Sequence, residues 1–446
     1  VVFVEEPTYR DKGTRGIEIH RKRLQAAQFV RDATIELLRQ YRGYPRELKQ
    51  LFLRDGYLYL DDAAAARELT TRLELGNLFE EKELIIERGS ERLAVEKSTD
   101  GSYRYVGGRD AGQPATLLLF DRVWVKGEDP GPSLHLDVRE FATREGTDGM
   151  RFDHLGERSV VVELRYEDEW VTALLDREGP RLDLNCLLIE PDDVARVGRA
   201  RDRSFRRAQI VRAIQSAIID QVRAGLPFDE PKTERGQQDG ELRRRWDEAY
   251  FAGKTSYRFN GDKYRVFDER GKPLTPQVCI DFVTETLERA SGMHFAPQGE
   301  KAHKVLGALD FDEILSGFRR QESALRTYAK ENPDRLAILD FPESSWVRYE
   351  DVGKFFKSIE ASRDEMRAGD IVIIRGRAAW DYYHELHTHT FFVYETDPVT
   401  GMPLLLAGNS GKPRIVTWDS EMLRAPRRSI QHRIRPNMEW LYERIV

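Results

Sequence analysis

The pattern of apolar and polar positions divides the chain into helical and β-rich stretches. Residues 15–80 carry apolar positions at helical spacing. In "IEIHRKRLQAAQFVRDATIELLRQY", Leu24, Ala27, Phe29, Val30, Ala33 and Leu37 mark one face of a helix. "DDAAAARELTTRLEL" predicts a second, capped by Asp61 or Asp62 and stopped near Gly76-Asn77. From Glu83 to Glu190 the pattern shifts to short alternating runs, "ELIIERG", "ERLAVEKS", "YRYVGG", "ATLLLFDRVWV", "LHLDVREFA", "SVVVELRYEDEW" and "LDLNCLLIE". Breakers such as "STDGS" and "GEDPGPS" separate them, as in a meander or sandwich. A long helix follows in "PDDVARVGRARDRSFRRAQIVRAIQSAIIDQVRAG", with Val211, Ile214, Ile218 and Val222 on one stripe. Its arginine run (Arg196, Arg199, Arg201, Arg203, Arg206, Arg207) reads as a solvated face. "GLPFDEPKTERGQQDGE" reads as a polar linker, and the rest of the chain mixes helices with strands.

These shifts predict a helical region over 1–80, a β-rich domain over 81–195, a helical connector over 196–255 and a last domain over 256–446. The fold class is α+β. At 446 residues, several cores are expected rather than one. A net charge of −6 with interspersed signs gives no reason to expect nucleic acid as a partner. No apolar run approaches the roughly 20 residues of a transmembrane helix. Two cysteines, Cys186 and Cys279, form neither a disulfide framework nor a multi-cysteine zinc motif. Cys186 falls inside an apolar strand and reads as core.

Cys279 stands in a different context, "GKPLTPQVCIDFVTETLERASG". Thr275 predicts an N-cap and Pro276 the first helical position, with Ile280, Val283, Leu287 and Ala290 as the stripe and Ser291-Gly292 as the stop. That puts Cys279 in the first turn. Unpaired N–H groups and the positive helix end there favour a thiolate and can later hold an oxyanion. Downstream, "AGDIVII" predicts a buried strand, "HTHTFFVYE" a strand with His387 and His389 on one face, and "MPLLLAGN" a strand ending at Asn409. His384 belongs to the approach to the histidine strand.

This order resembles the papain-like fold of the NlpC-type bacterial cysteine peptidases and amidases, over about the last 170 residues. "CIDFV" matches the nucleophile helix, "GDIVII" the next strand, "HTFFVY" the histidine strand and Asn409 the polar orienting residue. Where those enzymes read Cys-Ser-Gly, this chain reads Cys279-Ile280-Asp281. The resemblance implies that Cys279 is nucleophile, that His389 is general base and then acid, and that Asn409 orients the imidazole. His387 is the alternative base. Tyr257 and Tyr264 loosely match the upstream substrate-binding tyrosine, and His384 is a third candidate for the cleft. The expected activity is hydrolysis of an amide through a thiol acyl-enzyme without a cofactor, with bacterial cell-wall peptide as one candidate substrate. A secreted or periplasmic location is expected from the resemblance and from a first residue other than methionine, with the cytoplasm as the alternative.

Two other readings stand beside it. His387-Thr388-His389 is a His-x-His pair, and with His303 and Asp310 it loosely resembles the zinc ligands of the lysostaphin and D-Ala-D-Ala peptidase superfamily. A papain-like domain that only binds its ligand is the other.

Overall fold

A computed structural model describes residues 52–54, 57–59, 83–88, 91–99, 103–107, 111–112, 114–115, 124–125, 134–135, 138–155, 158–179, 181–229, 240–349, 352–377, 386–396, 398, 401, 403–422 and 425–446. The chain is α+β, with helices and antiparallel sheets. It divides into two compact units, Val1–Phe205 with Asp397–Met402, and Arg206–Thr396 with Pro403–Val446.

The two helices expected within residues 15–80 lie outside the described residues. Between them Phe52–Arg54 pairs antiparallel with Tyr57–Tyr59, which corrects the all-helical reading of that stretch. The local sequence fits it, because Phe52, Tyr57 and Tyr59 are aromatic β-formers. Four short strands form an antiparallel meander: β1 (Glu83–Arg88), β2 (Glu91–Lys97), β3 (Tyr103–Tyr105) and β4 (Pro114–Ala115). "LHLDVREFA" is not a strand throughout. Leu134–His135 is extended, and helix α1 (Val138–Glu145) follows. Val138, Phe141 and Ala142 stand at helical spacing and are all buried, so core packing decides an ambiguous local pattern.

A second meander holds β5 (Gly149–Leu155), β6 (Ser159–Tyr166), β7 (Glu169–Glu178) and β8 (Arg181–Leu188), in spatial order β8-β7-β6-β5. Val160, Val162 and Leu164 alternate inward on β6, as do Val171, Ala173 and Leu175 on β7. Cys186 is buried on β8, as expected. Helix α2 (Val194–Ala224) begins in this unit and continues into the second, with Ile214 and Ile218 buried.

In the second unit, helix α3 (Glu241–Phe251) covers the hairpin of β9 (Ser256–Phe259) and β10 (Asp262–Arg265). Trp246 and Tyr250 stack at 4.9 Å and share a buried cluster with Tyr257, Phe259, Phe267 and Phe295. The stretch expected to be a connector thus supplies core to this unit. Helix α4 (Cys279–Ala290) precedes α5 (Glu322–Glu331), β11 (Leu336–Asp340) and α6 (Val352–Ala361). Then come β12 (Ile371–Arg377), β13 (Leu386–Thr396), β14 (Pro403–Asn409), β15 (Pro413–Thr417), α7 (Trp418–Met422), β16 (Arg427–Pro436) and α8 (Met438–Ile445). The strands form one antiparallel sheet in the order β11-β16-β12-β13-β14-β15. Ile371, Val372, Ile373 and Ile374 are all buried at its centre, which accounts for their continuous apolar run. Helix α4 packs against β13 and β14.

Candidate active site at the start of helix α4

The helix starts later than Thr275 and Pro276 predict. Val278 is the N-cap and Cys279 the first helical residue. The reason is a long-range contact. Gln277 N donates to Pro227 O at 2.9 Å and Asp229 N donates to Gln277 O at 3.0 Å, which holds the approach extended. The shift moves Cys279, half-buried, to the very edge of the first turn.

Asp281, which stands where the resembling enzymes have glycine, has a structural task. Its Oδ2 accepts from Val278 N at 3.1 Å and from Arg320 Nη2 at 2.6 Å, and Arg320 also pairs with Asp229. Burial raises the Asp281 carboxyl above its usual range, and Arg320 and Arg243 oppose that shift.

Further along the same helix, Arg243 Nη1 donates to Glu285 Oε1 at 2.6 Å, while Arg289 and Gln277 reach Glu285 Oε2 at 3.3 and 2.7 Å. Burial alone would raise Glu285, but Arg243, Arg289 and Arg319 outweigh it and hold the carboxyl down at about 2. Glu288 accepts from Arg319 Nη2 at 2.9 Å and from Phe311 N at 2.8 Å. Gln221 Nε2 donates to Thr286 Oγ1 at 2.8 Å, tying α4 to α2. A helix carrying so many buried polar groups is fixed in position, because sliding it would strand charges in the interior.

On the sheet, His389 stands opposite Ile374, and His387 opposite Gly376, which pairs on its other side with Arg428. His387, His389 and Arg428 therefore project from one face. His389 is buried, with Nε2 at 3.3 Å from Glu421 Oε1. Glu421, also buried, lies on α7 and accepts from Arg414 Nη2 at 3.2 Å through its other oxygen. Trp418 anchors that short helix. Its ring packs edge-on against Phe391 at 5.7 Å, and its Nε1 donates to Pro403 O at 2.9 Å.

Asn409 does not share this face. Phe392 pairs with Ala407, so Gly408 falls opposite Phe391, on the face of His389, and Asn409 falls opposite Thr390 on the other. A Cβ at Gly408 would lie 3.0 Å from Phe391 Cβ and 3.5 Å from His389 Nε2. Strand alternation turns Asn409 to the other face, where its Oδ1 accepts from Gly411 N at 3.3 Å. The carboxylate of Glu421 stands where the amide of Asn409 was expected.

Arg428 belongs to the histidine face of the sheet. Burial lowers its guanidinium below the usual arginine range, and the charges of Glu421 and Cys279 act in the opposite direction. Cys279 and Glu421 are thus both within electrostatic reach of one side chain. Glu421, Arg414 and Arg428 escaped the sequence reading. The one local hint is an acid three residues after a tryptophan in "TWDSEM", a pattern that surface helices also show.

Of the remaining candidates, Tyr257 is a core residue stacked on Tyr264 at 5.5 Å. Burial, with Asp229 and Tyr264 nearby, raises its hydroxyl above the ordinary tyrosine range. His387 is half-buried and His384 lies outside the described residues. Asp310 caps the short helix Phe311–Ile314 by accepting from Asp312 N at 2.9 Å. His303 is exposed, with Nδ1 at 2.8 Å from Lys301 O. Among the described residues no three His, Cys, Asp or Glu side chains gather as metal ligands, and no helix is long and apolar enough to cross a membrane.

No family model matches the chain, and neither does any curated protein or solved structure.

Proposed function

We propose that the chain is a cysteine hydrolase of papain-like, NlpC type that cleaves an amide through a thiol acyl-enzyme. The observation that carries this reading is the buried contact of His389 Nε2 with Glu421 Oε1 at 3.3 Å, on the sheet face that carries Arg428. With Nε2 facing a carboxylate, Nδ1 is the ring nitrogen that serves Cys279. His389 takes the thiol proton, and the thiolate adds to the carbonyl carbon to form a C–S bond. The first-turn N–H groups of α4 hold the oxyanion. Collapse breaks the C–N bond as His389 protonates the departing amine. Water, deprotonated by His389, then cleaves the thioester and restores the thiol. Glu421 stabilises the imidazolium by its charge without taking the proton.

A peptide or related amide is the substrate class, with cell-wall peptide the candidate that the resemblance favours. Secretion to a bacterial envelope belongs to the same proposal. The geometry favours a thiol over zinc because the carboxylate of Asp310 is engaged as a helix cap. The test is amide hydrolysis by the full chain, with and without a strong chelator, in wild type and Cys279→Ala. Activity that survives chelation and falls at least about 10³-fold in Cys279→Ala supports the proposal. Activity abolished by chelation and retained in Cys279→Ala sinks it in favour of the metal reading. Thermal melts should coincide, because Cys279 is only half-buried.

A further inference from the structure

Resting on the proposed thiol chemistry, the end of the sheet that carries the histidines has a feature which hydrolysis alone does not require. Arg428 stands on the face of His387 and His389, and its Nε is buried without a hydrogen-bond partner among the described residues. Its neighbour Arg427 pairs with Arg377 across the β12–β16 ladder, and Arg375 lies two residues along the same strand. Strand alternation turns these three exposed arginines to the opposite face of the sheet. The nearby acid, Glu421, already faces His389 and Arg414. On the histidine face Arg414 and Arg428 thus outnumber the carboxylate of Glu421, in a chain whose net charge is −6. A buried guanidinium Nε without an acceptor is costly unless something supplies one.

We propose that Arg428 forms an anion subsite beside Cys279, and that the substrate carries a carboxylate close to its scissile amide. Arg428 is the recognising group, since a guanidinium offers a carboxylate paired N–H donors. A neutral amide lacking that carboxylate leaves the Nε–H unsatisfied and reacts more slowly.

Two alkylating reagents that differ only in charge test the subsite without needing the natural substrate. Iodoacetate and iodoacetamide are each reacted with the full chain, and Cys279 modification is followed by peptide mass spectrometry against a free thiol in the same buffer. The expected result is an iodoacetate-to-iodoacetamide rate ratio at Cys279 at least about tenfold above that of the free thiol. It should fall to the free-thiol ratio in Arg428→Gln and be largely kept in Arg428→Lys. An elevated ratio that persists in Arg428→Gln overturns the assignment to Arg428. A free-thiol ratio in wild type, with rapid iodoacetamide labelling, overturns the anion subsite while leaving the reactive thiol standing. Labelling no faster than the free thiol with both reagents overturns the thiol reading and the subsite with it.

Discussion

Helix α4 separates two charged clusters that are balanced differently. Along its length Asp281, Glu285 and Glu288 meet Arg243, Arg289, Arg319 and Arg320, and each carboxylate accepts at least two hydrogen bonds, although Arg289 Nε and Arg320 Nη1 find no acceptor among the described residues. At its first residue, Glu421 and Cys279 face Arg414 and Arg428, and the Arg428 Nε has no acceptor among the described residues. The first cluster holds a helix in place. The second leaves a donor available where chemistry is proposed. A network in which every carboxylate is shared among several donors fixes geometry, and a site with one carboxylate between two guanidiniums beside a thiol is where a substrate group can complete the set.

The largest effect is expected where one carboxylate serves several donors. Glu285→Gln removes the carboxylate that Arg243 and Arg289 share, and should cost about 3 kcal/mol of stability by urea denaturation at neutral pH. The pH dependence has a fixed sign. Glu285 is held at about 2 in the folded chain against 4.5 for the ordinary group. Its contribution is therefore fully present above pH 4.5 and is lost as pH falls toward 2. Wild type should lose stability through that window more steeply than Glu285→Gln. Equal slopes would show that the network is not charged as described.

On the site side, Glu421→Gln should lower kcat about 10²-fold with KM changed less than about threefold. The pH–activity profile should move toward lower pH, because a neighbouring carboxylate favours the imidazolium. Glu421→Asp should recover part of the loss. An unmoved profile would reduce Glu421 to packing. The smallest effect is expected at Asn409→Ala, with kcat within about twofold of wild type, since that side chain faces away from His389. A loss there as large as at Glu421 would return the orienting role to Asn409.

Much of this arrangement is legible in the sequence because periodicity is local. The stripe of α4, the buried β12 run and the strand that opens with His387 and His389 follow from spacing alone. The first position of α4 does not. Thr275-Pro276 carries good capping chemistry, but Pro227 and Asp229, some 50 residues upstream by number, hold the chain extended through Gln277. The side on which Asn409 projects is hidden as well. A one-residue difference in register reverses every side chain, and the β13–β14 pairing carries bulges at Val393–Glu395 and Glu395–Thr396. Glu421 is invisible for a third reason. Its proximity to His389 exists only once Trp418 has docked on Phe391.

The bond from Val278 N–H to Asp281, itself clamped by Arg320, has a consequence for motion. Helix ends ordinarily fray, and their amides exchange with solvent before those of the middle. A nucleophile on the first residue of an ordinary helix would share that looseness and wander relative to its base. Here both ends are held, the first turn by Asp281 with Arg320 and the last by Ser291, whose hydroxyl donates to Glu288 O at 2.8 Å and accepts from Leu309 N at 3.0 Å. The usual fraying should therefore be suppressed at the nucleophile's end, and Arg320→Ala should speed exchange of the Phe282 amide while leaving that of Ser291 unchanged.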